Sequence, residues 1–313
     1  MKLSLTKNQE TLFNLLKDGF VLTKASHPRQ VYKRIIEIKN KGYNVERMDI
    51  IENGTTKYKL KTILEEYPNK ILYTYPETTE FRALVISDTH LGNSLQRIDV
   101  LNSIYEYCIK NNIHIILNCG DFVEGIDKTS YGKLIDKDFI TQITNALKNH
   151  PYDKNIINLL LLGNHDNSYL EKHYIDLQKI IIDNRHDILP LGYNQANIDV
   201  KNDTIALLHP NNNEKYQLED KIVFRGHSHQ SKQKIDAGGN KILIYVPTCS
   251  SIFHNRDYCY PSILDVNFEF SANGLIKEMN ISTLIYNNGF IKTNEFQKTF
   301  GIIKKALEIK NQL

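Results

Sequence analysis

Five short clusters of metal-binding residue types stand between residues 88 and 229, each close behind an apolar run. They are Asp88-Thr89-His90, Gly120-Asp121, Gly163-Asn164-His165-Asp166, His209 and Gly226-His227-Ser228-His229. Aspartate, histidine and asparagine at the ends of several strands are the groups that a two-metal hydrolytic centre uses. One Gly-Asp pair or one lone histidine has no such meaning, so the prediction depends on all five clusters occurring together.

The elements that must position these clusters follow from the apolar pattern. Apolar runs alternate with amphipathic segments, which predicts strands at 83–87, 113–119 and 156–162 and helices at 99–110, 139–147 and 174–182. The later part is rich in strands, predicted at 188–191, 205–208, 222–224, 242–246, 263–268 and 276–281. Ligands of open α/β sheets bind beyond the carboxyl ends of the strands, so we expect the clusters to converge there. Gly120, Gly163 and Gly226 are expected to let the backbone turn sharply.

The five clusters, in this order, closely resemble the D-x-H, G-D, G-N-H-D/E, H and G-H-x-H motifs of the calcineurin-like metallophosphoesterase superfamily. The resemblance implies an α/β fold, an αββα sandwich of two mixed sheets with helices outside. It implies a first metal ion held by Asp88, His90, Asp121 and His229. It implies a second held by Asp121, Asn164, His209 and His227, with Asp121 bridging. His165 is then the catalytic residue that faces the phosphate, and Asp166 orients His165.

A mixed imidazole, carboxylate and amide ligand set suits Mn, Fe, Zn or Ni better than Mg or Ca, and we expect Mn. Residues 87–92 look like the first motif of the SbcD-type DNA-repair nucleases, which favours a phosphodiesterase acting on nucleic acid. Two alternatives stay open. One is a phosphoesterase for small molecules or phosphoproteins, and the other is a DNA-binding regulator whose phosphoesterase fold senses metal or nucleotide.

The sequence predicts the order helix, basic helix, hairpin for residues 1–62. Thr6 and Gln9 fit a capping box, a second helix is predicted from Pro28, and Asn53-Gly54 predicts a tight hairpin turn. The segment resembles the winged-helix domain of biotin-repressor type regulators, which implies DNA as a partner. Residues 1–80 hold 14 Lys and Arg against 10 Asp and Glu, whereas the remainder holds 25 against 26. The alternative role for this segment is homo-oligomerisation.

The remaining boundaries complete the predicted organisation. Residues 63–80 are interpreted as a linker or as a strand leading into the next domain, and residues 81–290 as the metallophosphoesterase domain. A C-terminal helix is predicted within 291–313, because Phe296, Phe300, Ile303 and Leu307 recur at helical spacing over 295–310. The chain shows no signal-peptide core and no apolar run of membrane-spanning length, so we expect a cytoplasmic protein without a membrane partner.

Overall fold

The computed structural model describes residues 79–126, 133–173, 175–210, 221–235, 241–251 and 260–300. Before residue 79 it describes only residues 6–7, 9–10, 22–23, 37–38, 46–52, 55–61 and 70–73. The chain divides into two compact units, Met1–Pro68 and Asn69–Leu313. Each unit is described separately below.

The described strands, in chain order, are β1 (Leu22–Thr23), β2 (Glu46–Glu52), β3 (Thr55–Lys61), β4 (Lys70–Tyr73), β5 (Glu80–Ile86), β6 (Ile115–Asn118), β7 (Ile157–Leu162), β8 (Ile188–Tyr193), β9 (Gln195–Val200), β10 (Asp203–Leu208), β11 (Ile222–Arg225), β12 (Lys232–Ile235), β13 (Ile242–Tyr245), β14 (Ser262–Phe270), β15 (Ile276–Tyr286) and β16 (Phe290–Thr299). The helices are α1 (Ile98–Lys110), α2 (Phe139–Asn149), α3 (Asn164–His173) and α4 (Leu177–Asn184).

Two mixed sheets build the larger unit. One has seven strands in the order β16-β15-β14-β5-β6-β7-β8, and its strands β5 to β8 are parallel neighbours. The other has six strands in the order β12-β13-β11-β10-β9-β4, and β10 lies parallel to β11. The parallel strands are apolar along most of their length because both of their faces are buried.

The core lies in two layers. Inward-facing side chains of both sheets, such as Leu117, Leu207 and Phe224, form one cluster between the sheets. The opposite face of the seven-stranded sheet packs against apolar side chains of α1 to α4. These layers confirm the predicted sandwich of two mixed sheets with helices outside.

Apolar spacing and capping residues in the sequence account for helices α1 and α2. Helix α1 buries Val100, Leu101, Ile104, Tyr105 and Cys108, a stripe at helical spacing. The Asp138 side chain caps α2 by accepting a hydrogen bond from the Thr141 amide at 3.0 Å. Within the described residues, no helix is both long enough and apolar enough to cross a membrane.

The smaller unit contains a three-stranded sheet in the order β1-β3-β2. Strands β2 and β3 are antiparallel with Glu52 opposite Thr55, which confirms the predicted hairpin. The predicted capping box is also confirmed, since the Thr6 amide donates to Gln9 Oε1 at 3.0 Å and the Gln9 amide donates to Thr6 Oγ1 at 3.4 Å. Most of the two predicted helices lies outside the described residues, so the winged-helix resemblance stays a prediction.

Residues 70–73, in the segment interpreted as a linker or a strand, form β4, which pairs in parallel with β9 at the edge of the six-stranded sheet. The helix predicted over 295–310 is wrong for residues 295–299, which continue β16. Residues 301–310 lie outside the described residues. Phe296 and Phe300 both pack toward the core between the sheets. Their separation of four residues is even, so it puts them on one face of a strand as well as on one face of a helix.

Candidate metal centre

The seven predicted ligands follow the carboxyl ends of five strands. Asp88 and His90 follow β5, Asp121 follows β6, and Asn164 opens α3 directly after β7. On the facing sheet, His209 follows β10, and His227 and His229 follow β11. Because β5, β6 and β7 are parallel neighbours, and β10 and β11 are too, these ends meet at one edge of the sandwich.

The backbone of these loops adopts an uncommon conformation at most of the ligand positions. Positive φ angles are found at five of the seven predicted ligands, namely Asp88, His90, Asp121, His227 and His229. Each such residue costs about 1–3 kcal/mol unless its surroundings hold it, and such strain concentrates at functional sites. Here, the Asp88 amide donates to Gly120 O at 2.9 Å and the His90 amide donates to Asp121 O at 3.0 Å. The Thr248 hydroxyl donates to Asp88 O at 3.0 Å.

The three motif glycines have two different roles. Gly120 has a φ of 104°, so it supplies the turn that was expected of it. Gly163 and Gly226 do not have positive φ, so a left-handed backbone is not what requires glycine there. A Cβ at Gly163 would lie 2.3 Å from Asp121 Oδ1, so this position requires glycine for space.

One group of ligand atoms combines Asp88, His90 and His229, whose atoms lie within 4.8 Å of one another. Asp88 Oδ1 is 3.3 Å from His229 Nε2 and 3.8 Å from His90 Nε2. The other Asp88 oxygen accepts a hydrogen bond from the His227 amide at 3.1 Å, which ties the β5 loop to the β11 loop.

A second group combines Asp121, His209 and His227. Asp121 Oδ2 lies 3.1 Å from His209 Nε2 and 3.8 Å from His90 Nε2, so this carboxylate faces both groups. Asn164 Oδ1 lies 3.1 Å from His209 Nε2 and 2.9 Å from His227 Nδ1. The structure therefore brings all seven predicted ligands together, with Asp121 in the position expected of a bridge.

The protonation of this cluster fits a cation site. His209 Nδ1 lies 2.6 Å from Cys119 O and donates to it, which leaves Nε2 for the cluster. Burial lowers the pKa of His209, but the charges of Asp121 and Asp88 outweigh it and raise that pKa to about 9. Burial likewise opposes ionisation of Asp121, yet His209 and His165 hold its pKa well below the usual value. The acids are ionised and favour positive charge beside them, so the donor set fits divalent cations.

His165 differs from the ligands in its accessibility. Its side chain is 26% exposed, whereas those of Asp88, His90, Asp121, His209 and His229 are at most 9% exposed. Its Nδ1 donates to Glu124 O at 2.6 Å, which leaves Nε2 free to act on a substrate. Burial is outweighed by the charges of Asp121 and Glu124, so the pKa of His165 is raised.

The role expected of Asp166 needs correction. Its carboxylate accepts hydrogen bonds from the amides of Phe122, Val123 and Gly163 at 2.8 to 3.0 Å. It therefore fastens the loop after β6 to the end of β7, and the Glu124 carbonyl orients His165 instead. Burial and the nearby Asp121 charge raise the pKa of Asp166 to about 7.

Sequence reasoning missed Glu124. This buried acid has Oε2 at 2.9 Å from His90 Nδ1 and 3.9 Å from His165 Nδ1. A carboxylate behind a metal-ligating histidine fixes the ring orientation and its tautomer. The available signal was an acid three residues after Asp121, behind the apolar pair Phe122-Val123 in a loop that carries a ligand.

Comparison with known proteins agrees with this geometry. The family model described as calcineurin-like phosphoesterase matches residues 81–231. Residues 81–231 therefore form a domain of the calcineurin-like metallophosphoesterase superfamily. A search of curated proteins finds no match.

Several solved structures resemble the chain at low identity. Vacuolar protein sorting 29 from Cryptosporidium parvum is 14% identical, with 71% of this chain and 100% of that chain covered and a TM-score of 0.42. The phosphoesterase Yfce from E. coli is 14% identical, with 63% of this chain and 96% of that chain covered and a TM-score of 0.39. The nuclease MPE from Pseudomonas putida is 12% identical, with 79% of this chain and 100% of that chain covered and a TM-score of 0.35. At these TM-scores, none of the three assigns a function to this chain.

Proposed function

We propose that this chain is a dinuclear-metal-dependent phosphodiesterase that hydrolyses nucleic acid. The observation that carries the proposal is the Asp121 carboxylate, which faces both groups of ligand histidines beside the more accessible His165. The preference for nucleic acid is supported by the SbcD-like residues 87–92 and by the net positive charge of residues 1–80.

Asp88, His90, Asp121 and His229 would hold one ion, and Asp121, Asn164, His209 and His227 the other. Manganese is the favoured ion, with iron, zinc or nickel as alternatives. When bound, two such ions supply positive charge for the phosphoryl oxygens and acidity for an attacking water.

The chain's own residues supply orientation and proton transfer. Glu124 holds the His90 ring with its side chain and the His165 ring with its backbone carbonyl. His165 Nε2 then protonates the leaving oxygen or stabilises charge on the phosphoryl group. Its raised pKa keeps the ring protonated at higher pH than an ordinary histidine, which suits a proton donor.

Residues 1–62 are proposed to bring DNA to this centre, with homo-oligomerisation as their other role. A cytoplasmic location is part of this proposal.

The test is hydrolysis by the full chain with added Mn²⁺. The substrates are a p-nitrophenyl phosphodiester, the corresponding monoester, and end-labelled single- and double-stranded DNA. We expect DNA cleavage that EDTA abolishes and that His165→Ala lowers by roughly 10²- to 10⁴-fold. His114→Ala removes an exposed histidine that bonds Asn155 O and Asn112 Oδ1, and it serves as the matched control.

The other outcomes separate the alternatives. Turnover of the small esters with DNA untouched would contradict the nuclease proposal and favour a small-molecule or phosphoprotein substrate. Metal binding without any turnover would favour the DNA-binding regulator.

A further inference from the structure

Three cationic side chains surround one tyrosine ring on the six-stranded sheet. Arg225 Cζ lies 5.3 Å from the centroid of the Tyr245 ring, Lys232 Nζ lies 4.9 Å from it, and Lys234 Nζ lies 5.3 Å from it. The ring is only 8% exposed, whereas both lysines are exposed. We call these four residues the Tyr245 patch.

Strand register places the patch on the outer face of the sheet. Arg225 on β11 and Lys232 on β12 both pair with Tyr245 on β13, so the three side chains form one row across the sheet. The preceding residues Phe224 and Ile244 point into the core between the sheets. Alternation along each strand therefore turns Arg225 and Tyr245 outward.

The charge of the patch is unusual for this protein. Arg82, Arg97 and Arg185 each form two hydrogen bonds to one aspartate, respectively Asp265, Asp99 and Asp187. Arg225, by contrast, lies over the same Tyr245 ring as two lysines. Its buried Nε has no hydrogen-bond partner among the described residues.

Like charges held together around one ring repel each other, and the ring quadrupole offsets only part of that repulsion. Within the part of the chain that the structure describes, none of these three cations forms an ion pair with a carboxylate. An arrangement of this kind is completed by an anion, and guanidinium and ammonium groups are the usual phosphate binders of proteins.

The patch adjoins the metal centre. Arg225 stands two peptide units before His227, so their Cα atoms are at most about 7.6 Å apart. Arg225 and Lys232 lie two strand spacings apart, about 9–10 Å. A nucleic-acid strand of a duplex presents one phosphate about every 3.4 Å along the axis, so a patch of this width spans more than one phosphate.

We propose that the Tyr245 patch binds the phosphates of a nucleic-acid strand next to the phosphodiester at the metal centre. This inference rests on the proposed function and extends it, because it assigns part of the substrate recognition to the catalytic domain itself.

The test is binding of a fluorescently labelled single-stranded oligonucleotide to the full chain with Mn²⁺ present. All variants carry His165→Ala, so that cleavage does not disturb the binding measurement. The double variant Lys232→Gln/Lys234→Gln is compared with Lys148→Gln/Lys179→Gln, which removes two exposed lysines from helices α2 and α4. The two variants change the net charge equally, so they separate a local contact from a general charge effect.

We expect the patch variant to raise the Kd at least tenfold and the helix variant to change it less than twofold. Each phosphate contact with a single strand contributes about 0.7 to the slope of log Kd against log salt, so losing two contacts lowers that slope by about 1.4. Equal Kd values for the two double variants, or an unchanged slope, would overturn the proposal.

A second measurement distinguishes failure of this inference from failure of the proposed function. With His165 intact, we compare the ratio of kcat/KM for the oligonucleotide to kcat/KM for the small diester, and we expect Arg225→Gln to lower that ratio at least tenfold. An unchanged ratio would contradict the role of Arg225 while leaving the nuclease proposal standing. If the wild-type chain does not cleave nucleic acid, the proposed function fails, and the binding comparison still decides whether the patch holds a strand.

Discussion

His209 and His150 are both buried, with exposed fractions of 0% and 3%, yet the surroundings of His209 favour the protonated ring and those of His150 favour the neutral ring. His209 lies at the carboxyl edge of the sheets, where Asp121 and Asp88 outweigh burial and raise its pKa to about 9. His150 lies at the end of α2 beside the rings of Tyr105 and Phe122. Burial and the charge of Arg185 lower its pKa to about 4.

The difference arises because the buried aspartates of the two regions have different partners. In the helix layer, the Asp187 carboxylate is neutralised by two hydrogen bonds from Arg185, so the nearby histidine stays neutral. At the carboxyl edge, Asp88 and Asp121 face imidazole rings instead of arginine or lysine. Surroundings that favour a proton on His209 also favour divalent cations, which explains why this edge and not the helix layer is the candidate metal centre.

The largest expected effect comes from the shared carboxylate. Asp121→Asn removes the charge that faces both histidine groups, so we expect all metal-dependent turnover to fall to the level seen in EDTA. The measurement is the rate of small-diester hydrolysis against Mn²⁺ concentration.

Asp187→Asn is the matched control, because it changes another buried aspartate, one that is paired with Arg185. It should cost about 1–3 kcal/mol of folding stability and preserve the Mn²⁺ dependence. Substantial Mn²⁺-dependent turnover by Asp121→Asn would contradict the proposed bridging role.

A smaller effect concerns the neutral histidine of the helix layer. Because the pKa of His150 is about 4 when folded and about 6.5 when unfolded, only the unfolded chain binds this proton between those pH values. The stability that His150 contributes is present above pH ~6.5 and is lost as pH falls toward 4, by about 3 kcal/mol in total.

The measurement is the free energy of unfolding by urea at several pH values between 4 and 7. His150→Phe keeps an aromatic ring beside Tyr105 and Phe122 and should flatten this pH dependence. If the variant loses stability with acid as steeply as the wild type, His150 is not the group responsible.

The smallest effect is expected at the carboxylate behind His90. Glu124→Gln keeps the shape of the side chain but removes its charge, so we expect the affinity for Mn²⁺ to fall by about 10- to 100-fold. Titration of turnover with Mn²⁺ measures this change. Glu106→Gln, on the exposed face of α1, controls for the lost negative charge. Indistinguishable Mn²⁺ titrations of the two variants would show that Glu124 does not support His90.

The sequence predicted most of the centre because its ligands stand in compact motifs behind apolar strands. Asp88, Asp121 and Asn164 needed only the rule that parallel strands end at one edge. Contacts between distant loops were not predictable in this way. The family resemblance assigned Asp166 to His165, yet its carboxylate binds amides of Phe122 and Val123, which are more than 40 residues earlier.

Helices and strands were predictable where the apolar side chains followed a single helical or strand period. Helix α3 was missed because residues 164–173 are mostly polar and show no apolar stripe at helical spacing. Its Tyr169 packs in the apolar cluster between the seven-stranded sheet and the helices. Its position is fixed by tertiary contacts, such as the hydrogen bond from the Tyr169 hydroxyl to Gln142 Oε1 at 2.6 Å. Strand β16 was mistaken for a helix because spacing by four residues satisfies both periods.

The most direct test of the account is the number of divalent ions that the full chain binds. Isothermal titration with Mn²⁺, combined with elemental analysis of the dialysed protein, gives this number for the wild type and for Asp121→Asn. We predict two ions per wild-type chain and at most one, weakly held, in Asp121→Asn. A wild-type chain that binds no divalent ion, or an Asp121→Asn variant that binds two with unchanged affinity, would contradict a two-ion centre bridged by Asp121.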